Sequence, residues 1–287
     1  MKILYGTYEN NIDITNMCLT EWVKDNVITI PEKHEIFRDR PTQIIIVDKN
    51  NNSTTFLHYS NIEIDLSDNT IKFYTDMDTK LENIQGKLKL KYGSFLDELP
   101  EQKMVCRYIK GYEKVLEIGG NIGRNSLVIA SLLNDHNNLL VLESHEIIAK
   151  QLKENRDINE FKFHIENSAL SNRKLLQNGW NTIPYDEKHD NKDFHPINTI
   201  TLKELYNKYK IDFDTLVLDC EGAFYYILVD MPEILNNINL IIMENDYLNP
   251  EHKKYVDDVL IKNNFYLDFN GGWKTNINFF QVWKRNI

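Results

Sequence analysis

The chain has 287 residues, of which 42% are hydrophobic and 26% charged, and its formal net charge is -10. That length holds one large domain, or a catalytic domain with a small module. The acidic balance argues against a general nucleic-acid or anionic-membrane binder, because both kinds of surface attraction need Lys and Arg. Cys18, Cys106 and Cys220 are far apart and odd in number, with no CxxC or Cys/His cluster. A disulfide framework and a structural zinc site are therefore disfavoured, and a reducing, intracellular (cytoplasmic) setting is expected. The N-terminus turns polar too early for a signal peptide, and no apolar run is long enough to span a bilayer. Frequent Asn, Ile, Lys and Tyr match the AT-rich coding bias of protists, AT-rich bacteria or large DNA viruses.

Residues 1–92 lack helical periodicity. Short β-branched or aromatic runs, "NVITIP" from Asn26, "TQIIIV" from Thr42, "STTFLHY" from Ser53, "IEIDL" from Ile62 and "TIKFY" from Thr70, are separated by polar clusters. Regular short strands with turn punctuation predict a small β-rich module, without catalytic spacing. From Ser94 to Tyr112, Phe95, Leu96, Leu99, Met104, Val105 and Ile109 line one side of a helical segment restarted at Pro100. The module boundary is expected just before it, so that 93–287 forms the second domain.

From Lys114 the pattern alternates. Strand "KVLEI" precedes helix "NSLVIASLL", strand "NLLVLE" precedes helix "HEIIAKQLKENRDI", and strand "FKFHIE" follows. Residues 171–196 are polar, without a strong period, and are expected to be a loop or insertion. Helix "TLKELYNKY", strand "FDTLVLD", strand "NLIIMEN", helix "PEHKKYVDDVLIKN" and the strands "FYLDF" and "NFFQVWK" complete the chain. Strand–helix alternation predicts an α/β fold, a Rossmann-like sheet covered on both faces, with a terminal hairpin.

The turn after the first of these strands is E-I-G-G-N-I-G, with Glu117, Gly119, Gly120, Asn121 and Gly123. A dinucleotide fingerprint requires G-x-G-x-x-G. Asn121 and Arg124 stand at two of the glycine positions, and no G-K-[ST] follows for a P-loop. What remains is a strand-end carboxylate, Glu117, expected to point at the cleft, and a glycine turn. A carboxylate there suits a cofactor with positive charge, and S-adenosylmethionine carries an ammonium and a sulfonium. Its carboxylate would meet free N–H groups at the next helix start, near Asn125 and Ser126. Gly119 and Gly123 allow close backbone approach, and Asn121 tolerates the left-handed conformation. Glu143 ends the second strand, where a carboxylate accepts hydrogen bonds from ribose hydroxyls. Asn167 and Ser168, after the third strand, suit either an adenine edge or a tight turn.

The fourth strand delivers "LVLDCEGAFYYIL", in which Asp219 and Glu221 flank Cys220. Two carboxylates at a strand end, two residues apart, point to one side if the strand continues, and could act as base, substrate clamp or metal ligands. The set "VLEIGGNIGRNSLVIA", "LVLESHE", "NSALS", "TITLKEL", "LVLDCEGAFYYIL" and "LIIMEN" resembles the FkbM family of S-adenosylmethionine-dependent methyltransferases over about Tyr112 to Glu244. The resemblance implies a Rossmann-like methyltransferase domain that O-methylates hydroxyls of sugars, glycans or natural products. Three positions depart from the family pattern. Gly120 replaces a usual alanine, Ser144 and His145 follow the ribose acid where proline is frequent, and Lys203 stands for an acid in "TLKEL".

Methyl transfer to a hydroxyl needs alignment and removal of a proton, which assigns Asp219 and Glu221 as candidate catalytic groups, with His145 a weaker base. Trp180 and Tyr185 in the 171–196 insertion, and Trp273 in the hairpin, offer flat faces to a small-molecule or glycan acceptor. His189 and His195 with Asp190 and Asp193 lack convincing ligand spacing, and no metal is assigned. The rival readings are an NAD-linked sugar-modifying oxidoreductase or epimerase and a noncatalytic glycan-binding protein. The first lacks its glycine fingerprint and a Tyr-x-x-x-Lys pair after a suitable turn. Intact acids at 117, 143, 219 and 221 argue against the second.

Overall fold

The computed structural model describes residues 1–7, 10–30, 43–57, 61–68, 70–74, 76–185, 192–273 and 276–286. They form two compact units, Met1–Glu82 with Leu267–Gln281, and Asn83–Tyr266 with Val282–Ile287.

The first unit contains strands β1 (Lys2–Gly6), β2 (Asn11–Asp13), β3 (Val23–Lys24), β4 (Val27–Ile30), β5 (Gln43–Val47), β6 (Ser53–Leu57), β7 (Asn61–Asp65) and β8 (Ile71–Tyr74), with helix α1 (Thr15–Thr20). They make two four-stranded antiparallel sheets, ordered β2-β1-β5-β6 and β3-β4-β7-β8. Alternation drives the packing. Ile28 and Ile30, Ile44 and Ile46, and Ile62 and Ile64 point inward with Ile3, Tyr5 and Cys18 into one core. Five of these strands match the short runs of the sequence. "KILYG" and the helix at Thr15 carry no such run-and-turn signature, and were not anticipated.

Helices α2 (Asp76–Gln85) and α3 (Leu99–Tyr108) follow. Pro100 sits in the first turn of α3, where its missing N–H is harmless. Residues 83–92 pack with the second unit instead of the β-rich module. The Asn155 side chain accepts from the N–H groups of Lys91 (2.7 Å) and Tyr92 (3.1 Å), and Asn159 accepts from that of Lys89 (2.8 Å). Conversely, Gln43 donates to the Gly272 carbonyl, which ties the distal part of the last hairpin to the first unit.

The second unit is built on β9 (Val115–Ile118), α4 (Arg124–Leu132), β10 (Leu139–Leu142), α5 (Glu146–Asp157) and β11 (His164–Glu166). The short pair β12 (Ala169–Leu170) and β16 (Thr199–Ile200) brackets an insertion of β13 (Leu175–Asn178), β14 (Asn181–Pro184) and β15 (His195–Ile197). Then come α6 (Leu202–Tyr209), β17 (Thr215–Leu218), α7 (Ala223–Asp230), β18 (Leu240–Glu244) and α8 (Pro250–Lys262), followed by β19 (Phe265–Trp273) and β20 (Asn276–Arg285), whose stretch Leu267–Gln281 belongs to the first unit. Seven strands form one sheet, ordered β11-β10-β9-β17-β18-β20-β19, and the first five run parallel. The central strands "VLEI", "LLVL", "TLVL" and "LIIME" are apolar nearly throughout, as strands covered on both faces must be. Leu116, Ile118, Leu140, Leu142, Leu216 and Leu218 share a core with Leu205 of α6, Phe224 and Leu228 of α7 and Leu260 of α8. Thr201 and Glu204 close a capping box at the start of α6.

The expected α/β doubly wound sheet is therefore present. Two local expectations are corrected. The strand predicted over 161–166 is confined to His164–Glu166. The polar stretch 171–196 is not a featureless loop: β14-β13-β15 is an antiparallel sheet, turned at Gly179–Trp180 with Gly179 at φ 55°. A two-residue loop opening on glycine is a hairpin signal.

Candidate active site

The strand order reverses between β9 and β17, and ligands of open α/β sheets bind at the carboxyl ends of strands around such a switch point. A cavity of about 470 Å³ lies there. The ends of β9, β10, β17 and β18 line one part of it, and α7 and the β13–β14 hairpin line the rest.

The glycine turn is fixed by packing. A Cβ on Gly119 would lie 1.6 Å from the Asp219 carbonyl oxygen, and its φ is 91°. Glycine alone allows the first turn to lie against the end of β17, which sets Gly119 and Asp219 side by side on the cavity wall. Gly120, where the family pattern has alanine, leaves room for Val141, whose Cγ1 would be 2.1 Å from an added Cβ. Gly123 heads α4 and accommodates Leu152, so it acts in packing and does not line the cavity.

Glu143 is buried and lines the cavity. One carboxylate oxygen accepts the Asn121 N–H (2.9 Å) and the other the His145 N–H (2.8 Å). Burial raises its pKa against the pull of these donors. The carboxylate is thus held rigidly, with lone pairs left for further donors. Asn121 takes φ 46° and its amide donates to Glu98 (3.0 Å), which also receives Arg124 Nη1 (2.7 Å). Arg124 Nε holds the Ser94 carbonyl (3.1 Å), tying the segment before α3 to the turn. Glu98, Asn121 and Glu221 all line the cavity and all take positive φ. For a non-glycine residue that conformation costs roughly 1–2 kcal/mol, and such strain concentrates at functional sites.

Glu117 departs from expectation. Ile118 faces the cavity, so alternation along β9 turns Glu117 the other way, toward α4. It is buried beside Ser126, and its Oε1 receives the Asn125 amide at 3.3 Å. Its Oε2 and the Asn125 Oδ1 are buried without a hydrogen-bond partner among the described residues. Burial pushes the Glu117 carboxyl up to about 8, against the opposing Ser126 hydroxyl and Asn125 amide. Asn125 and Ser126 therefore gather at Glu117 and not on the cavity wall.

Asn167 uses its amide to bridge the carbonyls of Glu143 (2.8 Å) and Ser144 (3.1 Å), the tight-turn alternative of the sequence. Ser168 lines the cavity, and its hydroxyl donates to Glu166 (3.1 Å). β17 ends at Leu218, and residues 219–222 form a turn before α7. Asp219 and Glu221 thus reach the cavity through that turn, with Glu221 at φ 51°, and not through strand continuation. Burial, then the charge of Glu98, drives Asp219 well above the usual carboxylate range, with Glu101, Asp246 and Glu221 adding to it. Burial and Asp246 raise Glu221. Cys220 is pushed up to about 12 by burial and Asp219, which leaves it an inert thiol.

Several groups were not anticipated. Glu98 reaches the site only through a left-handed turn and long-range pairing, which no local pattern signals. Glu244 ends β18 as Glu143 ends β10, a position that strand-end reasoning identifies. Carboxylate oxygens of Asp219, Glu244 and Asp246 lie within 4.8 Å of one another, the one group with metal-like spacing among the described residues. Arg173 and Tyr226 also line the cavity. Trp180 lines it and is 53% exposed, whereas Tyr185 is exposed and outside it. His145 does not line the cavity, and His195 is exposed on β15. His189 and Asp190 fall outside the described residues, as does the Trp273 side chain. No described helix is long and apolar enough to cross a membrane.

No family model matches this sequence. No curated protein matches it either. Solved structures with a similar chain path include an O-methyltransferase from Bacillus cereus in complex with SAH (14% identity, TM-score 0.43, 73% of this chain and 91% of that one). A ribosomal protein L11 methylase from Lactobacillus delbrueckii subsp. bulgaricus gives 13% identity and TM-score 0.43 over 69% of this chain and 82% of that one. A protein of the NADB-Rossmann superfamily from Streptococcus agalactiae gives 12% and 0.43 over 65% and 68%.

Proposed function

We propose that this chain is an S-adenosylmethionine-dependent O-methyltransferase of the FkbM kind, acting on a hydroxyl of a sugar or glycan. The observation that carries the reading is the join of Gly119 to Asp219. It sets a cofactor-type turn and a pair of strand-end acids on one cavity wall, with Glu143 pinned alongside. Glu143 would hold the ribose hydroxyls.

S-adenosylmethionine, when bound, supplies an electrophilic methyl group. The protein's task is then positioning and proton handling. Asp219 or Glu221 takes the proton of the acceptor hydroxyl, and the other helps orient that hydroxyl. Their raised pKa values bring them nearer the operating pH of a general base. Trp180 offers a flat face on which a sugar ring can lie. Every described residue named in this chemistry lies within 93–287, which would carry the activity.

Transfer of labelled methyl from S-adenosylmethionine to a panel of sugars and glycans tests this reading. Labelled carbohydrate, absent when Asp219 and Glu221 are both replaced, supports it. Release of S-adenosylhomocysteine with label in protein, lipid or RNA would contradict the acceptor assignment.

A further inference from the structure

The charge balance of the cavity bears on which hydroxyl compounds can enter it. Its described lining holds six carboxylates, those of Glu98, Glu143, Asp219, Glu221, Asp230 and Glu244, and a single cationic side chain, Arg173. That cation is not available. Arg173 Nε donates to Asp230 Oδ2 and Nη2 to Asp230 Oδ1, both at 2.6 Å, in a bidentate fork. Arg173 opens the inserted hairpin and Asp230 ends α7, so the pair also joins the two walls of the outer cavity.

Resting on the methyltransferase reading above, we propose that the cavity selects hydroxylated acceptors carrying no phosphate or carboxylate, with amino-bearing ones favoured, and that Asp230 sets this preference by neutralising Arg173. An anionic acceptor would meet like charge on nearly every side without a guanidinium or ammonium to receive it, and like-charge juxtaposition is a strong source of discrimination. A nucleic-acid strand needs Lys and Arg for its phosphates, and the described lining presents none that is unpaired. S-adenosylmethionine, with two cationic groups and one carboxylate, carries net positive charge and suits the same lining.

The test uses the full-length protein loaded with S-adenosylhomocysteine, with binding read by saturation-transfer NMR and affinity by competition. The probes are methyl glucoside, glucosamine, glucose 6-phosphate, UDP-glucose and a short RNA. The uncharged and amino sugars are expected to bind at least about tenfold more tightly than their phosphorylated counterparts. Asp230→Asn removes one anchor of the fork and should narrow that ratio about tenfold by releasing the guanidinium, with S-adenosylhomocysteine affinity held. Arg173→Gln, which deletes the cation, should widen it, and keeps the test valid if the first variant folds poorly. The proposal is overturned if no uncharged or amino sugar is preferred to its phosphorylated partner, if RNA binds best, or if both variants leave the ratio untouched. Failure of S-adenosylhomocysteine to bind at all would count separately, against the methyltransferase reading.

Discussion

Replacing Glu117 by Gln should make the protein more stable, increasingly so as pH rises. Glu117 is 2% exposed, with one carboxylate oxygen unpartnered. Its pKa rises from an ordinary 4.5 to about 8 on folding, through burial. Between those values the folded protein holds a proton that the unfolded chain has released. Wild-type stability therefore falls as pH rises through that window and levels off above about 8. At about 1.4 kcal/mol per pH unit, the ceiling on this loss is about 5 kcal/mol. Gln keeps an oxygen to accept the Asn125 amide (3.3 Å) and carries no charge to desolvate. The variant and wild type should differ little at pH 5 and by several kcal/mol at pH 9 in urea unfolding. A stability difference that is equal at pH 5 and pH 9 would refute the burial argument.

Gly119→Ala should abolish cofactor binding and reduce soluble yield, since its Cβ would overlap the Asp219 carbonyl and its φ is 91°; thermal unfolding and calorimetry of any soluble fraction measure both. The Asp219→Asn, Glu221→Gln double variant should lose on the order of 10²–10⁴ in turnover while binding S-adenosylhomocysteine normally, the range general-base removal gives. Full turnover would sink the catalytic assignment. The raised carboxyl of Asp219 should place the acidic limb of the kcat/KM profile above the ordinary carboxylate range, with activity lost as pH falls through it because the base becomes protonated. Trp180→Ala should raise acceptor KM several-fold and leave cofactor affinity unchanged, as expected for one aromatic face on a 53% exposed side chain.

The strands that carry the site were legible because burial on both faces leaves runs such as "LLVL" and "TLVL" with no polar break. The restart at Pro100 was equally readable, since proline in the first turn of a helix is a local stereochemical requirement. The residues 171–196 were misjudged because polar strands of a small sheet lack the hydrophobic alternation that marks a larger one. Their one strong signal, the two-residue turn opening on Gly179, lay between short segments. On the cavity wall, Glu143, Asp219 and Glu221 were legible from their place just after strands, and Gly119 from its glycine turn. Glu117 was identified but its direction was not, because that depends on which face of β9 meets α4. Glu98, Asp230 and Asp246 enter through left-handed turns, helix ends and long-range pairing, where sequence spacing carries no information.

Calorimetric titration of the chain with S-adenosylhomocysteine and with NAD decides which cofactor it takes. A single saturable site for S-adenosylhomocysteine is expected, weakened at least about tenfold by Glu143→Ala through loss of its charge-assisted hydrogen bonds, with no heat from NAD. Binding of NAD with no response to S-adenosylhomocysteine would overturn the cofactor assignment.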